Sequence, residues 1–201
     1  RAGMKATIIG GAETGAAAEL SRDITESILA SADNTADMWL LPAGINSFCT
    51  DCGDCYEGRE TSCRHAREVM PILKSMLSSD IIVIVTPELM GHTTAPVLNF
   101  LDYLAYLRIG SRPRAEMLTK RVVVISLGDK RAAEDIADCV SSWGVCDVRV
   151  LTRSSAPAAA RLALSAPARM GFFARLRMRR IAKKAGLAVP RICGGKGNAR
   201  K

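Results

Sequence analysis

Five short apolar runs alternate with five helix-like segments along this chain, and that alternation limits its fold more than any other feature. The runs are KATIIGG (5–11), DMWLLP (37–42), DIIVIVTP (80–87), RVVVISLG (121–128) and CDVRVLT (146–152). The third and fourth are apolar and β-branched along their length, the composition of a strand covered on both faces. The intervening segments AAAELSRDITESILASA (16–32), HAREVMPILKSMLSS (65–79), TAPVLNFLDYLAYLR (94–108) and DKRAAEDIADCVSSWG (129–144) repeat apolar residues at helical spacing, as Leu20, Ile24 and Ile28 do in the first. A last helix is expected at about 168–186. Pro42 stops the second run, Pro96 stands near the start of the third helix and Gly144 closes the fourth. Pro71 is expected near the first turn of its helix or at a kink. Parallel strands joined by helical crossovers pack as three layers, so the expectation is an α/β sandwich: a five-stranded parallel sheet with helices on both faces.

A chain of 201 residues with 48% hydrophobic and 24% charged residues has the composition of one globular domain with a substantial core. No apolar run approaches the roughly 18 residues of a membrane span, and RAGMKATIIGG lacks the apolar stretch of a secretory leader. A cytoplasmic setting is therefore expected. Met4 directly precedes the first strand, so 1–3 read as an appended leader, 4–155 as the domain, 156–190 as a basic helical extension and 191–201 as a disordered tail. The net charge of +8 is unevenly placed: residues 1–150 carry all 20 acidic side chains and a net of −5, whereas 151–201 hold 13 Lys and Arg and no acid.

Four of seven cysteines fall in FCTDCGDCYEGRETSC, at Cys49, Cys52, Cys55 and Cys63. The spacing C-x2-C-x2-C-x7-C lets one tight loop present three thiolates to a common centre and a fourth close it. Iron–sulfur clusters are held this way, zinc also takes four thiolates, and a disulfide or a metal-free loop are the remaining readings. Asp51, Asp54 and Glu57 add negative charge that is expected to raise the thiol pKa values and make these poor lone nucleophiles. Cys139 and Cys146 read as small core residues, and Cys193 as a free thiol in the tail.

Ligands of open parallel sheets bind beyond the carboxyl ends of the strands. After the first strand, GGAETGAAAE (10–19) runs into a helix N-terminus suited to an anion. TPELMGHTTAPVLNFLD (86–102) and SLGDKRAAED (126–135) follow the third and fourth strands. Each alone is also an ordinary strand-to-helix connection.

Taken together, the glycine loop, the cysteine loop, the block DIIVIVTPELMGHTTAPVLNFLDYL and the SLG turn resemble the flavodoxin-like NADPH-dependent FMN reductase family, and most closely its iron–sulfur flavoprotein branch. The resemblance covers about residues 4–152. It implies a flavodoxin-like sandwich, an FMN cofactor and a nicotinamide electron donor. It places the FMN phosphate at Gly11, Ala12, Glu13, Thr14 and Gly15, and the flavin ring against Thr86, Pro87, Glu88, Leu89, Met90, Gly91, Ser126, Leu127, Gly128 and Asp129. It also implies a [4Fe–4S] cluster on Cys49, Cys52, Cys55 and Cys63 that exchanges electrons with FMN. Compared with the family's hydroxyl-rich loop, this one offers the single hydroxyl of Thr14, and Glu13 would repel a phosphate. His92 falls beside the expected ring as a possible proton donor or a plain loop residue, and His65 as a helix-start residue.

GFFARLRMRRIAKKAG joins apolar residues to seven Lys and Arg within 169–184, which suits a helix packed on the domain or a second subunit better than a membrane or nucleic-acid module. A homo-oligomer, in keeping with the dimers common in this family, is expected, with the apolar residues of 94–108 as a candidate interface. The competing reading is a degenerate flavodoxin-like scaffold without flavin, its cysteine loop structural or zinc-bound.

Overall fold

The computed structural model describes residues 3–153, 172–184 and 186–187. Its centre is a five-stranded, wholly parallel sheet of β1 (Lys5–Gly10), β2 (Thr35–Leu40), β3 (Ile81–Thr86), β6 (Arg121–Ser126) and β7 (Asp147–Thr152), ordered β2-β1-β3-β6-β7. The order reverses between β1 and β3, which makes that gap the switch point where such sheets take ligands. This is the flavodoxin-like α/β arrangement that the alternating runs imply.

Successive residues of β3 point to opposite faces and build two cores. Ile82 and Ile84 join Ile9, Val122 and Val124 under α2 (Ala66–Ser78), α3 (Ala95–Tyr103) and α4 (Lys130–Ser142). Ile81, Val83 and Val85 join Ile8, Val123 and Ile125 under α1 (Gly15–Leu29). Every residue of β3 and β6 is buried, and burying each of their Ile and Val side chains is worth roughly 1.5–3 kcal/mol.

Several expected boundaries are corrected. The helix expected at 16–32 ends at Leu29, where the Asn34 side chain donates to the Ile28 carbonyl at 3.2 Å and accepts from the Met4 amide at 3.0 Å. The helix expected over 94–108 stops at Tyr103; the chain then tightens into a 3₁₀ turn, Ala105–Leu107, that buries Tyr106 and Leu107. Pro71 lies inside α2, just past its first turn. Asp129 is the N-cap of α4, its carboxylate accepting from the Arg131 amide at 2.7 Å, and Gly144 (φ 97°) follows its C-cap. Unforeseen is a small antiparallel hairpin after β3, of β4 (Glu88–Leu89) and β5 (His92–Thr93). Met90 and Gly91 turn it with φ of 55° and 83°, the left-handed pair of a two-residue hairpin turn.

At the amino-terminal end of the sheet, the Lys120 ammonium is buried and donates to the carbonyls of Leu77 (2.7 Å) and Ser79, at the end of α2. Burial brings its pKa down to about 8, against an opposing pull from Asp80. The last described helix, α5 (Phe172–Lys184), rests at this end too: Ala182 and Ile181 pack with Leu118 and Cys146, and Arg179, Arg180, Lys183 and Lys184 face solvent. The remainder of the basic extension, the 191–201 tail and Cys193 lie outside the described residues. No described helix is long and apolar enough to cross a membrane.

Candidate functional site

The loops after β1, β3 and β6 meet at the carboxyl end of the sheet. The Gly11 amide donates to the Val85 carbonyl at 2.7 Å, which holds the first loop against the end of β3. A Cβ at Gly11 would lie 2.6 Å from Pro87 Cδ and 2.7 Å from Val97 Cγ2, so only glycine permits this approach. The fourth-strand loop is equally close: a Cβ on Gly128 would lie 2.2 Å from Glu88 Oε2. Glu88 in turn accepts from the Gly91 amide, and the Thr86 and Thr93 hydroxyls meet beneath the hairpin.

Beyond this junction the first loop is open. Glu13, Thr14 and Gly15 are exposed and Ala12 is half-buried. Thr14 is the N-cap of α1 in extended conformation, and its hydroxyl makes no capping hydrogen bond. The leading amides of a helix have no intrahelical acceptor, so that hydroxyl and those amides suit a phosphate. Gly11 is the exception within its group, because its amide is taken by Val85. Across the mouth, Leu89 and Met90 are 67% and 90% exposed and offer the apolar surface a flavin ring needs. Ser126 is buried and accepts from the Gly128 amide at 3.2 Å, Leu127 is half-buried, and Gly128 and Asp129 are exposed. Asp129's carboxylate is engaged by its own helix, leaving the backbone of 127–129 as what this loop presents. His92 is an exposed hairpin residue.

Cys49, Cys52, Cys55 and Cys63 are all unpaired and all line one cavity of about 570 Å³. Its walls are the cysteine loop, the first turn of α2 and the end of α3. The loop is tied to the body from two sides. Asn99 Nδ2 and the Tyr103 hydroxyl, both from α3, donate to the Ser47 carbonyl at 2.9 and 3.0 Å. Glu60 holds Arg114 at 2.7 Å and Arg112 at 3.8 Å. Arg112 lies so flat on Gly58 that a Cβ there would come within 2.5 Å of Nη1.

The local electrostatics differ from the sequence expectation. Asp54 is paired with Arg59 at 2.6 Å and Glu57 with the same guanidinium, so two of the three acids are neutralised. The Cys55 thiol is pushed up chiefly by burial. Burial likewise raises Tyr103 and Tyr106 to about 12, keeping both hydroxyls protonated. Two buried polar atoms on residues lining the cavity, His65 Nε2 and the Tyr106 hydroxyl, make no hydrogen bond. The Arg114 guanidinium beside the Tyr106 hydroxyl pulls its pKa down against the larger effect of burial.

Among the described residues, no three His, Cys, Asp or Glu side chains are grouped to hold a single metal ion. A zinc ion would draw four sulfurs to about 3.8 Å from one another, from its 2.3 Å Zn–S bonds and tetrahedral angles. The four cysteines line one cavity without such a grouping, and the Cys52 thiol donates to the Asp54 carboxylate at 3.7 Å.

The family model for NADPH-dependent FMN reductase matches residues 10–158, most of the chain and all three strand-end loops. The chain belongs to the NADPH-dependent FMN reductase family. Like its family, this FMN reductase relative is an FMN-dependent oxidoreductase working with a nicotinamide donor. Its fold is that of an azoreductase from Bacillus anthracis str. Sterne, with 14% identity, TM-score 0.58, and 90% of this chain and 99% of that one covered. It is also that of an FMN-dependent NADH-azoreductase from Bacillus anthracis str. Ames Ancestor in complex with FMN (12% identity, TM-score 0.55, 90% and 99% covered). A third likeness, an NADH:FMN oxidoreductase in its apo form, has 14% identity and TM-score 0.50 with 94% and 92% covered. No curated protein matches the sequence.

The residues that reasoning from sequence passed over are Asn99, Tyr103, Tyr106, Glu60, Arg112 and Arg114. Glu60 lies between Cys55 and Cys63, close enough to have been suspected, but its partners lie more than 50 residues away.

Proposed function

We propose that this member of the FMN reductase family binds FMN at the mouth formed by the first, third and fourth strand loops. The phosphate sits at Gly11, Ala12, Glu13, Thr14 and Gly15, and the ring lies between Thr86–Gly91 and Ser126–Asp129. The observation that carries this reading is the direct contact of all three loops, through Gly11 with Val85 and Gly128 with Glu88. Bound FMN supplies the acceptance of two electrons from a nicotinamide and their release one at a time. The chain's residues bind and orient: the Thr14 hydroxyl and α1 amides hold the anion, and Leu89 and Met90 shield the ring from water.

The same reading extends to a [4Fe–4S] cluster on Cys49, Cys52, Cys55 and Cys63. What supports it is that all four cysteines are free and line one cavity, with the spacing C-x2-C-x2-C-x7-C. Held by these four cysteines, a cluster would supply one-electron exchange with FMN. A homodimer in the cytoplasm is the setting this reading implies, with exposed Leu89, Met90 and Leu98 as candidate contacts.

The test is anaerobic purification, reconstitution with FMN, ferrous iron and sulfide, and measurement of bound flavin, iron and NAD(P)H oxidation. About one FMN per chain with NAD(P)H turnover and four irons supports the whole. Flavin without iron leaves a plain FMN reductase. No flavin at saturating FMN overturns the assignment in favour of a scaffold.

A further inference from the structure

We propose that the outer face of α5 is a docking surface for an anionic lipid bilayer. Leu176, Arg179, Arg180, Lys183 and Lys184 are exposed and recur at spacings of three and four, so they form one stripe along the helix. Ile181 and Ala182 point the other way and pack with Leu118, Cys146 and Leu187. The end of the helix is fixed as well. The Leu187 amide donates to the Ala182 carbonyl at 2.9 Å across Gly186 (φ 64°), a helix closure that glycine permits. Packing on one side therefore holds the stripe outward on the other.

The charges of this stripe differ from those of the domain. There, cations answer to carboxylates: Lys5 to Asp37, Arg59 to Asp54, Arg114 to Glu60 and Lys130 to Glu134. Among the described residues, none of the four cations of the stripe has an ion-pair partner. Residues 151–201 contain no acid that would supply one locally. Position argues against an acidic electron-transfer protein as the occupant. The strands are six residues long, so the stripe lies about 20 Å from the loops of the proposed flavin mouth. A nucleic-acid duplex would meet the cations but leave Leu176, 37% exposed at the head of the stripe, against water or phosphate. A bilayer interface serves both: anionic headgroups take the cations and the acyl boundary takes the leucine. Residues 1–150, with their net charge of −5, are repelled by the same headgroups, which turns the helix side toward the membrane. None of this depends on whether flavin is bound.

The test is co-sedimentation of the full chain with vesicles of phosphatidylcholine alone and of phosphatidylcholine mixed with phosphatidylglycerol. A triple variant of the stripe, Arg180→Gln with Lys183→Gln and Lys184→Gln, is compared with an equal charge change at exposed positions of α1 and α2, Arg22→Gln with Arg67→Gln and Lys74→Gln. Wild type is expected to bind the anionic vesicles and not the neutral ones. The stripe variant should bind about a hundredfold more weakly, roughly fivefold for each charge removed, and the control should stay within about threefold of wild type. Leu176→Ser should weaken binding several-fold by a contribution that survives high salt, whereas that of the cations is screened. No binding to anionic vesicles, or equal losses in the two triple variants, overturns the inference. So does tighter binding to a DNA duplex of mixed sequence than to the vesicles, which assigns the stripe to nucleic acid. Self-association that is lost in the stripe variant, with no vesicle binding, assigns it to a second copy of the chain and overturns the inference as well.

Discussion

Glu60 and Arg114 are joined at 2.7 Å across 54 residues of sequence, and Arg112 adds a second contact to the same carboxylate at 3.8 Å. The Glu60 side chain is 11% exposed, so this is a nearly buried anchor rather than a surface pair. It fastens the cysteine loop to the segment following α3. Removing the carboxylate leaves two guanidinium groups short of a partner. Glu60→Ala should destabilise the protein by about 2 kcal/mol in urea unfolding and make Cys55 and Cys63 react faster with a thiol reagent under native conditions. Equal reactivity in the variant would mean the anchor does not hold the loop.

Glu13 is an exposed carboxylate at the start of the proposed phosphate recess, beside the unbonded Thr14 hydroxyl. Its repulsion of a dianion in water is of order 1 kcal/mol at contact range. Glu13→Ser should tighten FMN binding roughly fivefold at low ionic strength, by flavin fluorescence titration, with the gain shrinking in 0.5 M salt as screening takes over.

Gly11 is confined by Pro87 Cδ and Val97 Cγ2 at 2.6 and 2.7 Å from where a Cβ would stand. Gly11→Ala must push the first loop away from the third. Overpacking of this kind costs about 1–3 kcal/mol, and FMN affinity should fall at least tenfold while the far-ultraviolet circular dichroism stays unchanged. An alanine variant with wild-type affinity would show that the loops need not touch for flavin to bind.

How much of this was readable beforehand depended on where the information sits. β3 and β6 declared themselves because every residue of each is apolar or β-branched apart from the terminal Arg121 and Ser126 of β6. The strand ends located the mouth, since topology places them together. The hairpin at 88–93 escaped because its strands are two residues each, too short for alternation to show. Tyr103 and Tyr106 escaped for another reason: in a helix-like stretch they look like core, and they are buried, but what matters is where their hydroxyls end. That is decided by the change from α3 to a 3₁₀ turn at Leu104, which no periodicity marks. The Arg112 and Arg114 contacts with Glu60 are set by the fold as a whole.

Lys120 gives the protein a pH dependence with a definite sign. Its pKa falls from 10.5 unfolded to about 8 folded, mainly through burial. Between those values the unfolded chain binds more protons, so stability rises with pH across that window. Below pH about 8 both states are charged and the cost of the buried ammonium is constant. The gain should be on the order of 3 kcal/mol between pH 8 and 10.5. Comparing wild type with Lys120→Met by urea unfolding across that range isolates it from the tyrosines and cysteines that also titrate there. A difference between the two that does not change with pH would show that the ammonium is no more confined in the fold than out of it.

The cationic helix α5 is seated on Leu118 and Cys146, just ahead of β6 and β7, whereas the three convergent loops lie past the far tips of the strands. The molecule therefore has two poles with separate business. A contact made through Arg179, Arg180, Lys183 and Lys184 would leave the opposite mouth uncovered.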